Sequence, residues 1–112
     1  MNTNEREIQG SDPNIFAELG LPDADSHFLK AQIVAELYRL SQATKMTQAR
    51  TGARMGISQP EVSRLFKGNF REYSVERLIG FLTAFDQDVE IVAKPRAKDD
   101  GPGQITFRPA AA

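Results

Sequence analysis

Apolar positions in the first half of the chain keep helical time. Leu29, Ile33, Leu37 and Leu40 recur at spacings of four, four and three, which is one face of a helix. Asp23 stands as a cap before them and Asp25 in the first turn, so the pattern predicts a helix from Ala24 to about Ala43. Thr47 opens a second, shorter helix that runs to Met55 and stops at Gly56. Ser58 opens a third, with Leu65 and Phe66 near its end and Gly68 closing it. Ser74 caps a fourth, whose stripe is Val75, Leu78, Ile79, Leu82 and Phe85.

Beyond Asp86 the period changes to two. Val89, Ile91 and Ala93 alternate with Glu90, Val92 and Lys94, which predicts a strand ended by Pro95. Residues 95–103 read as a polar loop, and residues 104–108 alternate again as a second strand. A lone strand leaves its backbone unpaired. The first can pair with the second, with its own copy in another protomer, or with both. Before residue 23, residues 1–13 read as a flexible arm. Residues 14–22 hold an apolar patch in which Phe16 and Leu19 are expected to pack under the bundle rather than dock a partner. The chain therefore divides into an arm and apolar segment (1–22), a helical domain (23–86) and a strand or hairpin with a frayed tail (87–112). The fold class is mainly α, a bundle of four or five helices with a short C-terminal β element.

The stretch from Thr47 to Gly68 is the most tightly specified. Two short helices meet across a turn of about three residues at Gly56, the layout of a helix-turn-helix whose second helix enters the major groove of DNA. Gly56 can take the positive φ of a helix exit. Gly52 lies one turn earlier, where a helix-interior glycine costs about 1 kcal/mol relative to alanine. Its presence points to a close approach of the two helices. Ser58 and Glu61 form a Ser-x-x-Glu capping box, Ile57 and Val62 hold hydrophobic-staple positions around it, and Pro60 falls in the first turn, where its missing N–H is harmless. Met55, Ile57, Val62 and Leu65 then face inward. Gln59, Pro60, Ser63, Arg64 and Lys67 face out.

Charge follows the same boundary. The formal net charge is −1, yet residues 45–71 carry six bases (Lys45, Arg50, Arg54, Arg64, Lys67, Arg71) against one acid, Glu61. Acidic segments flank this basic middle, the trace a local phosphate-binding face leaves in a sequence. Gln59 is suited to adenine and Arg64 to guanine. The hydroxyls of Thr47, Ser58 and Ser63, with Gln48, Arg50, Lys67 and Arg71, are suited to phosphate oxygens.

On these residues the stretch resembles the Cro-type (XRE) helix-turn-helix family, lambda-repressor-like in fold. The matching positions are Thr47, Gln48, Gly56, Ile57, Ser58, Gln59, Val62, Ser63 and Leu65. The resemblance implies that Gln48 touches the DNA backbone and Gln59 reads a base. Gly52 stands in place of the usual alanine and Thr51 in place of the usual leucine. Pro60 and Glu61 occupy positions often filled by polar base readers. The base-reading set is thus Gln59, Pro60, Ser63 and Arg64, and the backbone set Thr47, Gln48, Arg50, Ser58, Lys67 and Arg71. Residues 14–23, 70–82 and 88–92 are similar to small HigA-type antitoxins of toxin–antitoxin operons. That likeness implies a repressor of its own operon that also neutralises a RelE-like ribonuclease toxin; the alternatives are a toxin-masking protein-interaction module whose DNA binding is secondary, and a stand-alone regulator without a toxin. A homodimer joined through Val89, Ile91, Val92 and Ala93 is expected, because proteins of this type usually bind two half-sites about one helical turn apart.

Other chemistry is sparse. The single histidine, His27, near Asp23 and Asp25, reads as a solvated first turn rather than a catalytic or metal site. There is no Gly-rich phosphate loop and no nucleophile elbow, so an enzyme is not expected and no cofactor or metal is implied. With no cysteine there is no disulfide framework. No apolar run approaches the roughly 18 residues of a membrane helix. The N-terminal residues lack a signal-peptide core. A soluble cytoplasmic protein is the simplest expectation.

Overall fold

A computed structural model describes residues 23–110. Among these residues there are four helices: α1 (Asp23–Ala43), α2 (Gln48–Met55), α3 (Gln59–Phe66) and α4 (Val75–Ala84). The arm and the apolar segment expected at 1–22, Phe16 and Leu19 included, lie outside the described residues. α1 starts one residue earlier than its pattern predicts, with Asp23 as the first helical residue rather than the cap.

The predicted face of α1 is the one that is buried: Leu29, Ile33, Leu37 and Leu40 all enter the core. They meet Val75, Leu78, Leu82 and Phe85 from the α4 stripe, with Met55 and Leu65 closing the space from α2 and α3. Burying one side chain of this size stabilises by about 1.5–3 kcal/mol. Ile79, expected on that stripe, is only half-buried, and Phe81 is buried instead.

α1 also buries a carboxylate. Glu36 is 7% exposed, and Arg39 grips it with two hydrogen bonds of 2.8 and 2.7 Å. A buried charge persists only when paired in this way. The helix ends where the Thr44 hydroxyl donates to the Leu40 carbonyl at 2.9 Å and the Met46 N–H reaches the Ser41 carbonyl at 3.0 Å. Between them Lys45 takes φ +57°, a left-handed conformation that costs a lysine about 1–2 kcal/mol.

The C-terminal strand and hairpin do not form. Among the described residues there is no strand, and the fold is mainly α without a β element. Alternation specifies which side chains share a face, but a strand also needs a partner to complete its hydrogen-bond ladder. Val89 leans on the core, whereas Ile91 and Val92 are 79% and 75% exposed. Residues 104–108 do not supply the partner. Phe107 packs on the helical core instead, its N–H 3.5 Å from the Gln32 side-chain oxygen on α1.

Candidate nucleic-acid interface

α2 and α3 are set by caps whose residues are neighbours in the chain. Thr47 has extended backbone and its hydroxyl oxygen accepts from the Arg50 N–H at 3.1 Å. Gly56 ends α2 at φ +80°, and both its N–H and that of Ile57 return to the Gly52 carbonyl, at 2.7 and 2.9 Å. α3 begins with the capping box. The Ser58 N–H donates to Glu61 at 3.0 Å, and the Glu61 N–H donates to the Ser58 hydroxyl at 3.2 Å. The hydroxyl proton completes the box by donating to the same carboxylate at 3.1 Å. These bonds from the Ser58 backbone and side chain hold the Glu61 carboxyl below its ordinary range.

Gly52 is where the two helices come closest. A Cβ placed there would lie 2.6 Å from the Ile57 carbonyl oxygen and 3.1 Å from a Val62 methyl. The first is a contact with backbone, which cannot swing away. Val62 and Thr51 beside it are fully buried, so the smaller residue at 51 still fills the seam.

This packing brings two of the predicted residues together. The Gln59 side-chain N–H donates to the Gln48 side-chain oxygen at 2.8 Å, and both residues are exposed. Thr47, Arg50, Pro60, Arg64 and Lys67 are exposed as well, and Ser63 is half-buried. Ser58 is exposed, but its hydroxyl is engaged on both its donor and its acceptor side by the capping box. Pro60, on the first turn of α3, offers ring carbons and no donor.

The loop after α3 is tied to α1. Phe70 is buried and stacks on His27 with ring centroids 4.9 Å apart. The Lys30 ammonium donates to the Arg71 carbonyl at 2.9 Å. Arg71 itself is exposed. His27 is thus a stacking partner for the loop that carries Arg71.

Not every base in the basic segment belongs to this face. Arg54 donates to the Ala84 carbonyl at 2.7 Å, pairs with Asp86 at 2.6 Å and lies over the Phe85 ring. It fastens α2 to the end of α4 and is spent on the fold. Sequence reasoning also missed a base. Arg77 lines an open cleft of about 560 Å³ together with Arg64, Asn69 and Arg71. It sits in an acidic stretch of sequence, and only the Ser74 cap three residues earlier hinted that it begins a helix. Tyr73 lies in the same cleft, where burial and then the charge of Glu61 hold its phenol above the usual range.

Against known proteins, residues 15–94 match the family described as a helix-turn-helix domain. A solved structure of an XRE-family transcriptional regulator superposes with a TM-score of 0.76 at 36% sequence identity, covering 80% of this chain and 100% of that one. No curated protein matches the chain. No helix among the described residues is long and apolar enough to cross a membrane.

Proposed function

The chain belongs to the XRE-type helix-turn-helix family, and on that footing we propose that it is a transcriptional regulator that binds double-stranded DNA through α2 and α3. The observation that carries this reading is the amide pair. Gln59 gives one of its two N–H protons to Gln48 and keeps one N–H and its carbonyl oxygen. One donor beside one acceptor fits the major-groove edge of adenine, whereas guanine presents two acceptors there. Gln48 keeps both of its own N–H protons for a phosphate oxygen. On this reading Ser63 and Arg64 read neighbouring base edges, and the ring of Pro60 suits a thymine methyl. Thr47, Arg50, Lys67 and Arg71 set the register on the backbone, whereas the Ser58 donors are taken by Glu61 and Ser58 serves as the cap of α3.

Gln59→Ala tests the pair. The substitution is expected to weaken binding to the specific site in the gene's own upstream region by about 1–3 kcal/mol and to leave random duplex little changed. Equal losses on both DNAs would make Gln59 a positioning residue and overturn the base-reading role.

The finer reading is an autoregulating repressor that works as a homodimer in the cytoplasm and serves as the antitoxin of a RelE-like toxin. Its support is the likeness of the flanking segments to HigA-type antitoxins. The segment from Val89 to Ala93 lies outside regular structure, and its bare Ile91 and Val92 are a surface that a second copy would cover. A stand-alone regulator is the competing reading. A neighbouring gene of about 100 codons for a basic ribonuclease-like protein distinguishes the two.

A further inference from the structure

The cleft beside α3 holds more cationic chemistry than base reading requires. Arg64 comes from α3, Arg71 from the loop after it and Arg77 from the first turn of α4, and all three line the same open hollow. Among the described residues, no hydrogen bond or ion pair joins their guanidinium groups to a protein acceptor. Arg77 is nevertheless held in place. Its guanidinium carbon lies 5.0 Å from the centre of the Tyr73 ring and 5.5 Å from that of Phe81. Stacking of this kind fixes a long side chain while leaving its N–H groups outward.

Two carboxylates share the cleft, and they differ. Glu61 is taken up by the capping box, where it accepts from the Ser58 N–H and hydroxyl. Its charge still acts on Arg77 and Arg64 across the cleft, while Glu72 is exposed and among the described residues has no such cap to hold it, so three arginines face two carboxylates. An anchored guanidinium with free donors matches the two unesterified oxygens of a phosphodiester. Arg64 belongs to both the outward face of α3 and the cleft, so the two surfaces are continuous.

We infer that this cleft seats a backbone phosphate of the bound duplex, with Arg77 as its anchored ligand and Arg71 beside it. The inference rests on the DNA-binding reading and adds a contact to it that carries no base information.

The test is fluorescence anisotropy on a 30-base-pair duplex of random sequence, between roughly 50 and 200 mM salt, the range over which phosphate contacts show. Arg77→Gln is expected to flatten the slope of log affinity against log salt by about 0.9. It should weaken random and upstream-region DNA by the same factor, roughly 3- to 10-fold. Arg77→Lys is expected to keep the slope, because it keeps the charge. Glu72→Gln is expected to tighten binding. An unchanged slope in Arg77→Gln, while the wild type retains its own salt dependence, would overturn the phosphate seat and leave the DNA reading standing. A lowered melting temperature in both Arg77 variants with equal loss of affinity would make Arg77 a packing residue and also overturn it. A wild type whose affinity ignores salt would overturn both readings.

Discussion

The turn between α2 and α3 and the tail beyond Asp86 both leave regular helix, and they are held very differently. The turn is closed within a dozen residues. Gly56 and Ile57 donate back to Gly52, Ser58 and Glu61 satisfy each other, and Val62 fills the seam. The tail has almost none of this. Among the described residues its backbone bonding is the Gln87 N–H to the Leu82 carbonyl at its root, the long Phe107 N–H to Gln32 contact, and one turn, Asp100 to Ala97, which Arg96 braces by donating to the Asp100 carbonyl at 3.0 and 2.7 Å. Its core contacts are the half-buried Val89 and Phe107. Short-range closure makes a surface whose shape is set before any ligand arrives. A segment with bare apolar side chains and unused backbone donors takes its shape from whatever it meets.

That contrast predicts an ordered set of effects on thermal or denaturant unfolding. Leu65→Ala, at a fully buried position on the inner face of α3, should cost about 2–5 kcal/mol. Gly52→Ala should cost about 1–3 kcal/mol through overpacking, even though alanine is the better helix former by about 1 kcal/mol. A stabilised Gly52→Ala would mean that the seam can open. The capping box should show itself in pH. The Glu61 carboxyl is held below its ordinary range by Ser58, so its contribution is present at neutral pH. That contribution fades as pH falls below the usual glutamate value of about 4.3. Glu61→Gln keeps an acceptor for the box and should lack this acid-dependent component. Smallest of all, Ile91→Ser with Val92→Ser should change unfolding by no more than about 0.5 kcal/mol. Sedimentation should then show the pair losing self-association. Full self-association in the double variant would remove the tail from the proposed dimer contact.

The same division explains what could be read from the chain. Thr47, Gly56, Ser58, Glu61 and Ser74 act on residues at most four positions away, so spacing alone locates them. Gln48 and Gln59 are each singled out by the family resemblance, but the hydrogen bond that joins them across 11 positions is not legible in the sequence and follows from the packing of α2 on α3. Arg54 and Arg77 have the same residue type and similar exposure. One points into a contact with α4 and the other into the cleft, and only the packing of helices distant in sequence decides which. Phe81 and Ile79 likewise exchange places, because which edge of α4 is buried depends on helices distant in sequence. The alternation at 89–93 was real as a pattern, but the partner a strand requires is not written in it.

Gly52 has one further consequence. With 2.6 Å between a methyl placed there and the Ile57 carbonyl, α2 and α3 meet at close range, and a DNA reader built on them would be a stiff one. A stiff reader cannot mould itself to an ill-fitting groove, so any bending or twisting needed for contact falls on the duplex. Base steps that nothing touches would then shape operator choice through how easily they deform.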